Sequence, residues 1–483
     1  MPGNEKLNRR TAQLTVGSIT CLAGLGLARV VAYSNSMIFV GAICVGILAF
    51  SYSAGLKLIA VIVVASLVGL ARGNQFMHYS AAYQQHFRKQ ITVTATADND
   101  AIYGKQSQLS FDVVNVMVTS PSRQLLKGKV KVEGLGVPMV YRGDQVQIQG
   151  SLAPTKGSAQ AKFSFAKLRL LKRGVSPIDS IRRRFIAGLG SALPEPEASF
   201  GAGLLLGQRS TIPKDISDQL SATGLTHLVA VSGYNLTIII VAVRKFLGKA
   251  SKFQSTICAA ALMLLFTLVT GFSASIVRAS LVSSLSLVAW YYGRRFRPAL
   301  LILGTAAVMA LWNPFYLWSD IGWYLSFLAF FGVLLIAPLL AASIGRGKPP
   351  KLVGALLAET IAAQIMTLPI IMYIFGRVSI IGLLANVFVV PLVPLAMLLT
   401  LTAGLSGMLY PPLAGWFALP AKLLLTYMVD LVGLLSRLPH AQAQKQISLY
   451  AMLLGYGLIL LVSFVLWRFL TSRKWIDYDK ITE

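Results

Sequence analysis

Acidic residues are scarce. Asp and Glu number 17 in 483 residues against 44 Lys and Arg, and all charged residues together make 13% of the chain. Soluble globular proteins carry about 25% charged residues, so this scarcity excludes an ordinary soluble enzyme. Histidine is almost absent: His78, His86, His227 and His440 stand alone, and no HxHxDH-type metal cluster can be drawn from them. The three cysteines, Cys21, Cys44 and Cys258, lie in apolar stretches. No CxxC metal signature exists and no disulfide framework is expected. No GxxxxGK[ST] phosphate loop occurs, which excludes a nucleotide-driven motor of that type. No cofactor and no metal are expected.

What is abundant is apolar. Hydrophobic residues make 55% of the chain and the mean hydropathy is +0.67. Apolar runs near the roughly 20 residues that cross a bilayer recur from Leu14 to Phe469. They predict a polytopic α-helical membrane protein of about twelve spans. These are Leu14–Ala32, Met37–Ser53, Leu58–Ala71, Leu228–Val243, Thr256–Val269, Ile276–Tyr292, Ala299–Leu311, Ile321–Leu340, Leu352–Ile374, Ser379–Leu401, Leu413–Leu435 and Ile447–Trp467. Pro391 and Pro394 predict a kink or break in the tenth. The N-terminal pattern of Lys6, Arg9 and Arg10 before an apolar run reads as an uncleaved first helix, because two more spans follow closely.

Loop charge orients the spans. With the N-terminus inside, one side collects eighteen Lys and Arg, among them Arg9, Arg10, Lys57, Lys245, Lys252, Arg294, Arg346 and Arg473. The short loops opposite hold three: Arg377, Arg437 and Lys445. The positive-inside rule then makes both termini cytoplasmic and the segment between the third and fourth spans extracytoplasmic. The divisions expected are N-terminal helices over 1–71, a β domain over 72–175, amphipathic or interfacial helices over 176–226, a membrane domain over 227–470 and a tail over 471–483.

The β domain declares itself by period-two alternation at Thr92–Thr96, Leu109–Val113, Lys129–Glu133 and Val146–Gly150, with a turn at Arg142-Gly143-Asp144. Four or five short strands in about eighty residues predict a small closed barrel of OB type. Between Arg72 and Arg184 stand eighteen Lys and Arg against six Asp and Glu. A basic domain on the outer side points to a polyanionic partner. Lys127, Lys129, Lys131, Arg142, Arg169, Lys172 and Arg173 are the candidates to track a phosphate backbone, with Tyr103, Phe111, Tyr141, Phe163 and Phe165 as candidate stacking partners. Anionic wall polymers or lipid headgroups are alternative partners for the same cations. Ile178–Leu193, with Arg182-Arg183-Arg184, reads as an amphipathic helix at the membrane surface. Ser199–Leu206 is too short to span and reads as interfacial or re-entrant.

Three stretches carry a resemblance. Leu204-Leu205-Leu206-Gly207-Gln208-Arg209-Ser210 continues through Thr223-Gly224-Leu225-Thr226-His227-Leu228-Val229-Ala230-Val231-Ser232-Gly233-Tyr234-Asn235. The second is Gly271-Phe272-Ser273-Ala274-Ser275-Ile276-Val277-Arg278-Ala279. The third is Gln364-Ile365-Met366-Thr367-Leu368-Pro369, followed by Phe375-Gly376-Arg377-Val378-Ser379, Asn386 and Pro391. Together they resemble the competence family of DNA-uptake channels (ComEC). That resemblance implies a bacterial cytoplasmic-membrane protein that passes single-stranded DNA inward during natural transformation. Its partners would be single-stranded DNA and membrane lipids, with a separate nuclease, DNA receptor and motor. The metallo-β-lactamase-like nuclease domain of many members is not expected here. Tyr234-Asn235 stands where the family more often has Leu-His.

The residues expected to line the DNA path are Arg209, His227, Ser232, Asn235, Arg278 and Gln364. His227 and Ser232 are i and i+5, about 140° apart on a helix, which opposes a nucleophile–base pair. Ser232 and Asn235 share a face and would line a polar path, or join neighbouring helices by hydrogen bonds. Arg278, Glu359 and Asp430 lie within apolar spans and are expected to avoid lipid: Glu359, near the inner end of its span, reads as interfacial, and Asp430, deeper, needs a partner. A non-enzymatic channel is therefore expected. The competing readings are a secondary transporter or exporter of an anionic envelope polymer or lipid, and an intramembrane hydrolase built on Ser232.

Overall fold

A computed structural model describes residues 2–30, 41, 43, 54–103, 108–120, 123–137, 139–155, 157, 159–174, 176–208, 211–229, 233–246, 251–271, 273–293, 298–345, 352–439 and 441–473. It divides into two units. One holds residues 1–180 with 299–323, the other 181–298 with 324–483.

The first unit opens with two helices, α1 (Pro2–Leu27) and α2 (Ala54–Gln84). Small residues let their backbones approach. A Cβ on Gly69 would stand 2.9 Å from Leu25 N, and one on Gly24 2.9 Å from the Ser66 carbonyl carbon. Helices gain close packing this way where burial from water offers little. The third expected span ends at Ala71, but α2 runs on without interruption to Gln84, and Tyr83 is fully buried in the core of the sheet that follows. Helix α9 (Pro298–Trp312) and the short α10 (Phe315–Ser319) return to this unit. Trp318 Nε1 donates to Leu25 O at 3.0 Å and Arg72 Nε donates to Leu311 O at 2.8 Å. Arg72 thereby satisfies a carbonyl left open at the end of α9.

The sheet has seven strands: β1 (Gln90–Ala97), β2 (Ile102–Tyr103), β3 (Leu109–Ser120), β4 (Gln124–Leu126), β5 (Val130–Leu135), β6 (Gln145–Ala153) and β7 (Ala161–Lys172). Their order is β1-β6-β7-β5-β3-β2, with β4 on β3. Only β5 and β7 run parallel. The inner face is the predicted alternation made solid: Val93, Val113, Val130, Val132, Val146 and Ile148 are almost wholly buried, and Phe163 of β7 joins them. The sheet rolls until β1 meets β3 as well as β6. That last contact loses register twice, between Thr92 and Val93 and between Thr94 and Thr96. The expected closed barrel is thus corrected to a rolled sheet with an irregular seam. Strand β7, as long as β3 at 12 residues, was not among the predicted segments.

In the second unit, α3 (Pro177–Ala192) carries the expected amphipathic pattern, and its apolar face is covered by protein. Phe185 and Leu189 join a core with helix α15 (Val393–Leu409). A Cβ on Gly188 would meet Met408 N at 2.6 Å, so the two helices touch backbone to backbone. Helix α4 (Glu197–Leu206) is buried along all ten residues, so it is a core element of this unit and not a surface helix. After α5 (Lys214–Ala222) come α6 (Gly233–Phe246), α7 (Lys252–Thr270), α8 (Ala274–Tyr291), α11 (Ile321–Phe331), a π turn (Gly332–Ile336), α12 (Ala337–Gly345) and α13 (Leu352–Phe375). A short strand β8 (Arg377–Ser379) pairs with β9 (Gln442–Gln444). The expected break at the prolines is present: α14 (Gly382–Val389) passes through a 3-10 turn at Val390–Leu392 before α15. Helices α16 (Ala414–Ser436) and α17 (Leu449–Ser472) follow.

Among the described residues, eight helices are long and apolar enough to cross a membrane. Thr11–Leu27, Glu197–Leu206 and Pro298–Trp312 are shorter apolar helices, and α6 has 14 residues. The expected count of twelve is therefore not reached by length and composition among the described residues, and the span expected at Met37–Ser53 lies almost wholly outside them. The chain is a multi-pass membrane protein.

Candidate functional site

The three motif segments fall in the second unit. The first begins in α4, whose glycines let neighbours in. A Cβ on Gly203 would stand 3.1 Å from Val229 Cγ1, and one on Gly201 3.2 Å from Thr400 Oγ1. The helix ends at Gly207 in the left-handed conformation (φ 69°), leaving carbonyls of its last turn open. Asn235, from the first turn of α6, donates its Nδ2 to one of them, Leu204 O, at 3.1 Å. Asn235 is buried. The amide thus ties the two halves of the first motif together across 31 residues.

Between them the chain turns at Gly224 (φ 71°), and His227 Nδ1 lies 3.1 Å from Gly224 O. This loop meets the third motif. A Cβ on Gly224 would stand 3.1 Å from Ser379 Cβ, and one on Gly382 3.3 Å from Ser379 Oγ and 3.4 Å from Gln364 Nε2. Gln364 on α13, Ser379 at the end of β8, Gly382 opening α14 and the Gly224 loop therefore form one polar seam. Ser379 Oγ and, one turn along α14, Asn386 Oδ1 are buried without a hydrogen-bond partner among the described residues. Ser199 Oγ, Gln208 Oε1 and Thr400 Oγ1 share that condition. Native interiors rarely leave polar atoms so, and clusters of them mark places where water or a ligand supplies the partner. Sequence reasoning quoted Ser379 and Asn386 in the motif without assigning them to the path. Glu197, buried and accepting from Thr426 Oγ1 at 2.7 Å, was missed altogether.

Arg278, in the second motif, is buried on α8, with its guanidinium 5.6 Å from the Phe327 ring centroid of α11. Such contacts gain strength when the cation is desolvated. Glu359, expected at the interface near the inner end of its span, is exposed on α13; Asp430, expected deeper and with a partner, is also exposed, on α16. Arg209 and Ser232 lie outside the described residues. No group of three His, Cys, Asp or Glu among the described residues could hold a metal ion.

In the first unit the predicted basic residues divide into two sets. Lys129 Nζ pairs with Asp98 at 2.5 Å and lies 3.9 Å from Asp112. Burial works against its charge, yet Asp98 and Asp112 outweigh it and raise its pKa. Burial also raises the pKa of Asp112, which Lys129 only partly offsets. Lys131 pairs with Glu133 at 3.3 Å. Arg142 Nε donates to Asp179 at 2.9 Å, and Arg173 reaches the wholly buried Asp144 at 2.6 Å. Asp144 also accepts from the backbone of Tyr141 and Gly174, so these pairs organise the turn at Arg142-Gly143-Asp144. Lys127 lies over the Tyr79 ring at 5.6 Å. Arg169 and Lys172, with Lys167, stand exposed on β7.

A family model described as Competence protein matches residues 204–470. ComE operon protein 3 of Bacillus subtilis (strain 168) is 28% identical over 218 residues, 44% of this chain and 27% of that protein, so the chain covers just over a quarter of that relative's length. No solved structure matches. The matched segment holds all three motifs and takes up more than half of the sequence: the chain belongs to the competence protein family.

Proposed function

We propose that this protein is a channel through which single-stranded DNA crosses the bacterial cytoplasmic membrane, acting by conduction and not by catalysis. The family's role in DNA uptake gives the substrate class. The observation that carries the reading is the seam of Gln364, Ser379 and the Gly224 loop, with Ser379 Oγ and Asn386 Oδ1 unpartnered among the described residues inside an otherwise apolar helix bundle. Amides and hydroxyls of this kind replace water around a passing sugar–phosphate chain without holding it tightly. A buried guanidinium at Arg278 would meet phosphate charge. Neither the seam nor Arg278 is arranged as a nucleophile with a base.

In this proposal both termini are cytoplasmic, as the eighteen-to-three loop charge favours, and the rolled sheet is an extracytoplasmic OB-like domain that captures the strand. Its pairings, β1 with β3, β3 with β5, β5 parallel to β7, β7 with β6 and β6 with β1, support that likeness. A separate nuclease, receptor and motor would act with it.

The test separates capture from entry in cells carrying Arg278→Ala, or Gln364→Leu with Ser379→Ala. Labelled DNA should bind the cell surface as in wild type, while nuclease-protected DNA in the cytoplasm falls at least tenfold. Undiminished entry in both strains would remove these residues from the mechanism. Transport of an anionic envelope polymer in vesicles, with no effect of DNA, would favour an exporter.

A further inference from the structure

Strand β7 contains one residue that neither neighbouring strand matches. Against β6, the register passes from Gln149↔Lys167 to Leu152↔Phe163. Against β5, it passes from Gly134↔Ala166 to Val132↔Phe163. Both steps leave an extra residue on β7, and the backbone identifies it as Phe165, with φ 54°. Bulge residues in this conformation are usually glycine. A bulky aromatic there is an outlier that persists only where its surroundings impose it, and such outliers gather at functional sites. The bulge does not bury the ring, for Phe165 is 67% exposed.

The bulge also sets what lies beside the ring. Beyond it, Lys167 and Arg169 point outward opposite Gln149 and Gln147. A second register shift between Gln145 and Val146 brings Lys172 back to that face, opposite Gln145. Across β6, Thr92, Thr94 and Thr96 of β1 extend the three rows. Alternate residues on a strand stand about 6.7 Å apart, of the order of the step between phosphates in an extended nucleic-acid strand. The ion pairs of the sheet use Lys129, Lys131, Arg142 and Arg173. Among the described residues none uses Lys167, Arg169 or Lys172.

We propose that the β1–β6–β7 face, and not the Lys127–Lys131 segment, is where a single-stranded nucleic acid lies, with a base stacked on Phe165. Lys167, Arg169 and Lys172 meet successive phosphates, and the glutamine row supplies hydrogen bonds that adapt to any base. A polyanion without bases would engage the cations and leave the exposed ring unused. The site rests on the reading of this chain as a DNA-handling protein.

The test is a titration of the full chain in detergent with a fluorescent single-stranded oligonucleotide at several salt concentrations. Phe165→Gly, which suits the bulge conformation, should bind at least tenfold more weakly with an unchanged salt slope and an undiminished melting temperature. Phe165→Trp should bind at least as tightly as wild type. Lys167→Gln with Arg169→Gln and Lys172→Gln should flatten the slope of log K against log salt by about 2. Lys127→Gln with Lys131→Gln should change affinity by less than about threefold, because Lys131 is already paired. Equal binding by wild type and Phe165→Gly, or equal wild-type affinity for an abasic strand, would overturn the stacking site and favour a surface for wall polymers or anionic lipids. Wild-type protein that binds no oligonucleotide would instead defeat the DNA-handling reading itself.

Discussion

Asn235 closes the open end of α4, and that bond explains why two short sequence segments 31 residues apart belong to one structural unit. Its face was legible from the i, i+3 relation to Ser232, but its partner was not, because the open carbonyl at Leu204 exists only once Gly207 has ended the helix. The lysine ladder misleads in a similar way. Lys127, Lys129 and Lys131 read as a free basic stripe until Asp98, a strand away, comes to Lys129. Asp112 nearby has a raised pKa because burial disfavours its charge. The native state therefore binds that proton more tightly than the unfolded chain, so this group's contribution favours folding most at low pH and declines as pH rises through the folded value. Asp112→Asn should leave the melting temperature at pH 7 equal or higher, and the two proteins should differ less in acid. Asp98→Asn should lower stability at pH 7 by about 0.2–1 kcal/mol, as expected of a partly exposed pair. A lower melting temperature for Asp112→Asn at pH 7 would contradict this assignment.

At the scale of elements, the segments that alternate cleanly were readable, β3 only as far as Val113, before its own slip at Asn115, while β7 and the short β2 and β4 were lost. In β7 the inward residues are Ala161, Phe163, Ala166 and Leu168, so the period of two slips by one at Phe165. A bulge costs the sequence its signature just where the surface becomes unusual. Helices were legible from apolar length, and the break at Pro391 from its prolines. Burial of α4 was not, since a ten-residue apolar run looks alike at a surface and in a core. The pairing of α3 with α15 depends on glycines that periodicity does not rank. A Cβ on Gly407 would collide with Gly188 O, and one on Gly404 with the Phe185 ring. Gly407→Ala should destabilise the protein in detergent by about 1–3 kcal/mol. Gly190→Ala, on α3, meets nothing within 4 Å and should be neutral or stabilising by up to about 1 kcal/mol. Equal melting curves for the two variants would show that the close approach is not needed.

For the whole molecule, composition and loop charge carry the membrane assignment, and the motifs carry the family. The proposed path was legible only as a list of residues. Folding brings the Gly224 loop, Gln364 and Ser379 together and keeps Arg278 with Phe327. Sequence spacing does not contain that meeting, since more than 130 residues separate Gly224 from Gln364. The most direct test is electrical. Purified full-length chain in a planar bilayer, with an applied voltage standing in for a motor, should open a conductance. A single-stranded oligonucleotide added on the β-domain side should block that current transiently, a duplex should not, and Arg278→Ala should remove the blockades. A bilayer that stays silent with folded protein in it, or a conductance indifferent to single-stranded DNA, would contradict the account.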